Sequence, residues 1–239
     1  MLTRSFTKMP IDWEHKFRQK QLVVEDPALL AFYEQPLPAL STPMQDVTFL
    51  AMDFETTGLN AKEDDIITIG TVPFTLNRIF LNQAKHWTVR PSRPLPDTSI
   101  VIHGITHNDI IDAPDLREVY QEVLNQMAGK VVTVHYNPIE RQFFDAALQS
   151  RIGEGIEFPV IDTMEIENTI QHKQFGGLWN RLKGKRPQSV RLGQSRDRYG
   201  LPLYTPHHAL VDAIATAELL QAQIAHYYHA DQPLKDFLL

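Results

Sequence analysis

The spacing of apolar residues along the chain predicts an alternation of strands and helices. Short apolar runs rich in β-branched residues predict strands at residues 47–55, 65–74, 86–89, 131–135 and 160–163. Helical spacing of apolar residues predicts helices at 115–127, 138–150, 189–199 and 205–226. Three strands followed by alternating helices and strands indicate an α/β domain built on a mixed sheet.

The first 45 residues show a different pattern. They contain two short helical candidates, at 11–21 and 26–33, and the second begins with Asp26 as a cap and Pro27 at its first helical position. Three prolines then follow within eight residues, as in a linker. We interpret residues 1–45 as a helical N-terminal extension that packs on the main domain or recruits a partner, 46–230 as the main domain and 231–239 as a C-terminal tail.

Composition narrows the kinds of site that this chain can form. The 239 residues are 43% hydrophobic, which is enough for a sizeable core. The chain has no cysteine, which excludes disulfides and thiolate zinc sites. Any metal ion must be held by oxygen or imidazole ligands, and converging carboxylates would favour Mg²⁺ or Mn²⁺.

Charge and hydropathy set two further expectations. The net charge of −6 argues against a surface coated with nucleic-acid-binding charge, but an enzyme acting on nucleic acid needs only a local basic track. No apolar run approaches the ~18 residues of a membrane span, and the N-terminus lacks the apolar centre of a secretory signal. A cytoplasmic location is the default expectation.

Two carboxylates stand at the end of the first predicted strand. Asp53 and Glu55 are two residues apart, so they project from one face of that strand and repel each other unless a cation lies between them. An isolated Asp-x-Glu is more often a solvated strand face. Here it follows the apolar run Phe49-Leu50-Ala51-Met52, which is typical of a buried central strand. Converging carboxylates are what phosphodiester cleavage with two metal ions requires.

The run Asp53-Phe54-Glu55-Thr56-Thr57-Gly58-Leu59 resembles the first motif of the DEDD exonuclease superfamily, and more narrowly of its DnaQ-like group, which includes the proofreading epsilon subunit of bacterial DNA polymerase III. The resemblance implies a ribonuclease-H-like fold, a mixed five-stranded sheet flanked by helices. It also implies removal of nucleotides from 3′ ends with two divalent metal ions.

A second match lies near the C-terminus. His207-His208-Ala209-Leu210-Val211-Asp212-Ala213 resembles the third motif of the group in its histidine-bearing form, with a His five residues before an Asp. The match implies that His207 is the general base and that Asp212 is a metal ligand. An imidazole can take a proton from an attacking water near neutral pH. The alternative is that both histidines are surface residues, or that His208 faces the site.

The second motif departs from the family pattern His-Asn-x-x-Phe-Asp-x-x-Phe. The corresponding stretch is His135-Tyr136-Asn137-Pro138-Ile139-Glu140-Arg141-Gln142-Phe143, which places Glu140 where the family has Asp. Glutamate keeps the ligand chemistry but adds one methylene. Asp145 is a rival for the role. On a helix it would point about 140° away from Glu140.

Other positions are candidates for substrate contact. By the resemblance, Thr56, Thr57 and Leu59 would contact the terminal nucleotide, as would a segment containing Ile102 and His103 that could equally be a simple turn. A basic stretch hypothetically grips substrate phosphates, although it could be a solvated surface: Arg181, Lys183, Lys185, Arg186, Arg191, Arg196 and Arg198. Tyr199 and Tyr204 could stack on bases or serve the core.

Together these observations predict a 3′–5′ exonuclease acting on single-stranded or frayed DNA and releasing nucleoside 5′-monophosphates. Two ions, Mg²⁺ or Mn²⁺, would be held by Asp53, Glu55, Glu140 and Asp212, and His207 would deprotonate the attacking water. One alternative is an exonuclease that trims RNA or oligonucleotides. Another is a non-catalytic adaptor domain that binds a DNA polymerase or a repair partner.

Overall fold

The computed structural model describes residues 11–93, 110–175 and 186–239. The strands of these residues form one mixed sheet: β1 (Phe49–Thr56), β2 (Ile66–Thr75), β3 (Arg78–Ile79), β4 (Lys85–Thr88), β5 (Val131–Val134) and β6 (Val160–Asp162). The strand order is β3-β2-β1-β5-β6, and β4 also pairs with β2. β1 is antiparallel to β2 and parallel to β5, which is parallel to β6.

The sheet therefore has six strands in the described part of the chain, one more than the five predicted. The additional strand is β3, which is only two residues long. It pairs with the end of β2 around Phe74, whereas β4 pairs with β2 around Gly70. A hairpin partner this short gives no readable alternation of apolar and polar residues, so the sequence pattern did not predict it.

The described helices are α1 (Trp13–Gln21), α2 (Pro27–Glu34), α3 (Leu116–Met127), α4 (Pro138–Ile152), α5 (Thr163–Phe175), α6 (Leu192–Arg198) and α7 (Ala209–Tyr227). Most agree with the predicted helices within a few residues. α5 was not predicted, because its buried face combines Ile166 and Ile170 with the polar Glu167 and Gln171. α7 begins four residues later than predicted, since His207 has a φ of 69°, which a right-handed helix excludes.

Residues of the sheet alternate between two apolar layers. Leu50, Met52 and Phe54 of β1 lie in a core with α3 and α4, while Phe49 and Ala51 pack against α5 and α7. This alternation is what a central strand covered on both faces requires. The C-terminal ends of the parallel strands β1, β5 and β6 lie at the same edge of the sheet, where the polar residues of the site are found.

The predicted N-terminal extension packs on the sheet domain. Trp13 and Phe17 of α1 and Leu29 and Phe32 of α2 are buried in the same core as β1, α3 and α4. The C-terminal residues lie beside β6, where the Leu239 N–H donates to the carbonyl of Val160 at 2.9 Å. The proposed boundaries at residues 45 and 230 remain a prediction. Among the described helices, none combines the length and the apolar character needed to cross a membrane.

Candidate active site

Three acidic side chains converge at the end of β1. Asp53, Glu55 and Asp212 each place one carboxylate oxygen within 4.8 Å of the other two. Asp53 and Glu55 share a face of β1 because they are two residues apart. Asp212 comes from the first turn of α7, far away in sequence. The structure therefore brings together three of the four predicted metal ligands.

A glycine in β2 makes this approach possible. Gly70 pairs with Asp53 across the β1–β2 ladder. A Cβ at Gly70 would lie 2.3 Å from backbone atoms of Ala209 and Leu210, so any larger residue would push α7 away from the sheet. Sequence reasoning missed Gly70, although a glycine in the middle of an otherwise β-branched strand is a signal of close approach.

The turn before α7 is held by the same carboxylate that joins the cluster. Asp212 Oδ2 accepts hydrogen bonds from the backbone N–H of His207 at 2.8 Å and of His208 at 3.3 Å. Burial raises the pKa of Asp212, and these two N–H groups oppose that rise in part. The left-handed φ of His207 thereby presents an exposed imidazole beside Asp212.

The neighbouring histidine has a different environment. The ring of His208 stacks on that of His86, from β4, with 4.7 Å between centroids and 24° between planes. Burial and the nearby His208 lower the pKa of His86. Both histidines of the pair 207–208 therefore lie near the carboxylates, with His208 held by a ring partner and His207 beside Asp212.

Glu140 is buried close to the cluster. It lies in the first turn of α4, is 1% exposed, and its Oε2 has no hydrogen-bond partner among the residues that the structure describes. It is not one of the three groups within 4.8 Å, yet its charge raises the pKa of Asp53. The rival Asp145 is used elsewhere, because its Oδ1 accepts from the Ile156 N–H at 2.9 Å. The structure thus favours Glu140 over Asp145 as the fourth carboxylate.

The electrostatics of the cluster call for a cation. The pKa of Asp53 is raised by its burial and then by the charges of Glu140, Asp212 and Glu55. Burial also raises the pKa of Glu140. Converging carboxylate oxygens are the ligands of hard divalent ions, and the unpartnered Oε2 of Glu140 adds a buried acceptor. The residues present therefore fit divalent metal ions.

The loop after β1 carries the predicted contacts to the terminal nucleotide. Thr56 donates from its hydroxyl to the carbonyl of Gly58 at 2.6 Å, and the Thr57 N–H donates to the carbonyl of Asp65 at 2.9 Å. These bonds fix the loop, while the Leu59 side chain is 85% exposed. Five other predicted contacts lie outside the described residues: Ile102, His103, Arg181, Lys183 and Lys185.

The hypothesis of a phosphate-binding stretch is wrong for two of its arginines. Arg196 is 4% exposed and pairs with Glu218 at 2.7 Å. Arg198 pairs with the buried Glu167 at 2.9 Å. Both guanidinium groups fasten α6 to its neighbours and are not directed at a substrate. Arg186 and Arg191, by contrast, are exposed.

The two tyrosines of this stretch also serve the fold. The Tyr199 hydroxyl donates to Glu167 at 2.8 Å, and the Tyr204 hydroxyl donates to Glu218 at 2.9 Å. These contacts therefore favour a structural role for Tyr199 and Tyr204 over stacking on bases.

Sequence reasoning also missed Asp162. This last residue of β6 is 1% exposed and accepts hydrogen bonds from backbone N–H groups on both sides, those of Asn137 and Met164 among them. It joins the end of β6 to the turn that leads into α4 and Glu140. An Asp that follows an apolar strand and precedes a helix is a signal for such a cap.

Comparison with known proteins identifies a family whose sequence pattern matches this chain. A family model described as exonuclease, RNase_T, matches residues 50–220. A DNA polymerase III subunit epsilon-like protein of Rhodobacter capsulatus is 30% identical over 178 residues, which are 74% of this chain and 24% of that protein. The DNA polymerase III subunit epsilon of Treponema pallidum is 29% identical over 188 residues, 79% of this chain and 80% of that one.

Other relatives are much longer than this chain. The match to DNA polymerase III PolC-type of Thermotoga maritima covers 73% of this chain but 12% of the relative. This chain therefore spans a quarter or less of several of the curated relatives that it matches.

Solved structures share the fold at low sequence identity. The nuclease domain of 3′hExo, a DEDDh family member bound to rAMP, gives a TM-score of 0.60 at 17% identity and covers 75% of this chain and 92% of its own. Exonuclease X in complex with 5′ overhanging duplex DNA gives 0.57 at 20% identity, covering 79% and 99%. The ribonuclease-H-like arrangement expected from the sequence is thereby confirmed.

Proposed function

Because this chain belongs to the exonuclease family that the RNase_T model describes, we propose that it hydrolyses phosphodiester bonds at the 3′ end of single-stranded or frayed DNA. The products are nucleoside 5′-monophosphates. The observation that carries this proposal is the convergence of Asp53, Glu55 and Asp212 beside the turn that presents His207.

Divalent metal ions are part of the proposal. Asp53, Glu55, Asp212 and Glu140 would hold two of them, and Mg²⁺ or Mn²⁺ suit an all-oxygen donor set. When bound, such ions supply Lewis-acid stabilisation of the charge that develops on the phosphoryl oxygens. Without bound cations the negatively charged carboxylates repel one another. This repulsion disfavours a purely structural role for the cluster.

The remaining chemistry belongs to residues of this chain. An imidazole nitrogen of His207 accepts the proton of the attacking water while the water oxygen bonds to phosphorus. The bond between phosphorus and the 3′ oxygen of the preceding nucleotide breaks, and that oxygen takes up a proton. Asp212 holds the backbone of His207 and so fixes the position of the base. His208 stays stacked on His86 and orients the turn.

The substrate strand would follow the same edge of the sheet. Thr56, Thr57 and Leu59 would contact the terminal nucleotide together with Ile102 and His103. Arg181 and Lys183 would contact the phosphates, joined by the exposed Arg186 and Arg191. Alanine substitution of Arg186 and Arg191 should reduce the salt dependence of oligonucleotide binding, and an unchanged salt slope would exclude this track.

A proofreading or repair setting fits the relatives. Those named above are subunits or forms of DNA polymerase III, so a DNA polymerase or a repair complex is the partner that we propose. RNA trimming is the second candidate, because the similar 3′hExo domain was solved with rAMP bound. The two differ in their tolerance of a 2′-hydroxyl on the terminal nucleotide.

One assay tests the central proposal. Single-stranded DNA and RNA of one sequence, labelled at the 5′ end, are incubated with the protein in Mg²⁺, Mn²⁺ or EDTA. We expect a ladder of progressively shorter labelled strands from DNA in either metal and none in EDTA. The variant Asp53→Asn should lose the ladder. Asp145→Asn should keep it, since Asp145 caps a loop away from the cluster.

The possible results separate the candidates. A ladder from RNA alone would select RNA trimming. Activity that persists in EDTA or in Asp53→Asn would refute the two-metal mechanism. Loss of activity in Asp145→Asn but not in Glu140→Gln would reverse the assignment of the fourth carboxylate.

A further inference from the structure

The turn between β5 and α4 holds a residue in an unfavourable backbone conformation. Tyr136 has a φ of 91°, in the left-handed region where glycine is at ease and residues with a Cβ are rare. A bulky aromatic residue at such a position is an outlier that the surroundings must enforce. Glycine would form the same turn with less strain, which makes the ring of Tyr136 a candidate for a contact outside the fold.

Asp162 enforces the turn. Its Oδ1 accepts from the Tyr136 N–H at 3.1 Å, and its Oδ2 accepts from both the N–H and the side-chain amide of Asn137 at 2.8 Å. The same Oδ1 accepts from the Met164 N–H at 2.9 Å, which ties the turn to the start of α5. Bonds to a buried carboxylate are stronger than neutral ones, and together they hold Tyr136 in place.

The turn lies at the edge of the sheet that carries the acidic cluster. β5 runs parallel to β1, so the residues after Val134 emerge at the same edge as Asp53 and Glu55. The Tyr136 carbonyl accepts from the Ile139 N–H at 3.2 Å, one residue before Glu140. The strained residue is therefore built into the segment that supplies the fourth carboxylate.

The ring of Tyr136 is not part of the apolar core formed by the described residues. The Tyr136 side chain is 47% exposed, and it belongs to neither large apolar cluster of the described residues. Tyr199 and Tyr204, by contrast, use their hydroxyls to bind buried or half-buried glutamates. An exposed aromatic ring beside a nucleic-acid site has a chemistry that suits nucleobases, because every base offers a face for stacking.

We propose that Tyr136 is a substrate-contacting residue whose ring stacks on a base near the 3′ end of the single strand, with Asp162 as the positioning residue that holds it there. This proposal rests on the proposed exonuclease function and adds a base-binding position to it. Stacking of this kind tolerates any sequence, so Tyr136 contributes affinity and strand placement rather than base preference.

Three substitutions separate the ring from the strain. Tyr136→Phe keeps the ring, Tyr136→Ala removes it and keeps the strained backbone, and Tyr136→Gly removes both. We expect Phe to behave like the wild type in steady-state degradation of single-stranded DNA. Ala and Gly should both raise KM about 5- to 100-fold, as loss of one stacked base predicts, with a smaller effect on kcat. The Tyr136→Gly variant should melt at a higher temperature than Tyr136→Ala, because glycine adopts the positive φ without strain.

An abasic substrate shows whether a base is the partner. Oligonucleotides carry one abasic nucleotide at each of the last three 3′ positions in turn. At the stacked position, the abasic substitution should raise KM for the wild type and should have no further effect on Tyr136→Ala, because the same contact is already lost. At the other positions the two effects should add.

The outcomes distinguish the two levels of the proposal. Wild-type activity with an unchanged KM for Tyr136→Ala would overturn the role of Tyr136 and leave the exonuclease function standing. A fall in kcat alone, with additive effects at every abasic position, would also overturn it, since Tyr136 would then only shape the turn before Glu140. Absence of activity in the wild type on any nucleic acid would overturn the exonuclease function first.

Discussion

At the scale of single residues, two kinds of buried or half-buried carboxylate occur among the described residues. Glu167 is 1% exposed and surrounded by donors, with Arg198, Tyr199 and Gln223 all bonded to it. Asp53 is surrounded by acceptors, and the charges of Glu140, Asp212 and Glu55 raise its pKa. The first arrangement stabilises a fold, whereas the second is stable in its charged form only with cations present.

The role of His207 gives a prediction at this scale. His207→Ala should reduce kcat by about 10²- to 10⁴-fold, the usual contribution of a general base. Cation binding should be largely unaffected, because residue 207 donates to Asp212 from its backbone N–H, which alanine keeps. Steady-state rates, together with the melting temperature with and without Mg²⁺, check both parts.

His208→Ala is the matched control. It removes the stack on His86 and leaves the imidazole of His207 in place, so a smaller loss of kcat is expected. A larger loss from His208→Ala than from His207→Ala would make His208 the base, the alternative that the sequence left open.

At the scale of elements, the site depends on how closely α7 approaches the sheet. Gly70→Ala would place a Cβ 2.3 Å from backbone atoms of Ala209 and Leu210. Backbone cannot rotate away as a side chain can, so α7 must shift and move Asp212 away from Asp53. We expect a loss of about 1–3 kcal/mol in the free energy of unfolding and a weaker stabilisation by Mg²⁺. Denaturant titration with and without Mg²⁺ measures both.

A second glycine offers the control. Gly193 lies in α6, where an added Cβ meets no atom within 4 Å. Gly193→Ala should be neutral or stabilising by up to ~1 kcal/mol, with stabilisation by Mg²⁺ unchanged. If Gly70→Ala also kept its full response to Mg²⁺, the close approach of α7 would not be what assembles the site.

The strands and helices also indicate how much of the structure could be predicted from the sequence. β1 and β2 followed from apolar periodicity, and α4 from its Pro-initiated helical pattern, because these signals are local. Asp53 and Glu55 were singled out by their shared strand face after an apolar run as well as by a motif, whereas Asp212 and Glu140 came from motif spacing, which depends on resemblance and not on a local physical rule. Gly70 and Asp162 were missed because each acts through a contact with a segment distant in sequence. The late start of α7 reflects the His207 turn, which Asp212 stabilises.

At the scale of the whole molecule, the N-terminal helices belong to the main core. Phe17 is 5% exposed, and its ring packs edge-on against Tyr33 at 5.0 Å between centroids. Phe17→Ala should cost about 3–5 kcal/mol in the free energy of unfolding. Leu22, 85% exposed at the end of α1, is the control, and Leu22→Ala should change that free energy by less than ~0.5 kcal/mol.

Both variants should keep the full stabilisation by Mg²⁺, because α1 does not reach the acidic cluster. A single cooperative unfolding transition that shifts as a whole in Phe17→Ala would show that the extension and the sheet unfold together. A separate early transition would instead support an independently folded segment before residue 46.

The acidic cluster also predicts how the stability of the molecule responds to pH. The pKa values of Asp53, Glu140 and Asp212 are raised in the folded state, so above pH ~4 these three groups bind more protons in the folded protein than in the unfolded chain. The contribution of these three groups to stability in EDTA should therefore be most favourable near the unfolded carboxyl pKa values and should fall as the pH rises through the raised ones, whereas the lowered pKa values of His86 and His135 act in the opposite direction. A bound divalent cation favours the deprotonated carboxylates and should reverse this trend.

The measurement is the melting temperature at pH 5 and pH 8, each in EDTA and in Mg²⁺. The increase caused by Mg²⁺ should be larger at pH 8 than at pH 5, because protons compete with the cation at the lower pH. Asp53→Asn removes one of the mutually repelling charges. It should therefore melt higher than the wild type in EDTA at pH 8, while losing most of the response to Mg²⁺. A wild type that gained equally from Mg²⁺ at both pH values would show that binding of the cation is not coupled to the raised pKa values of the acidic cluster.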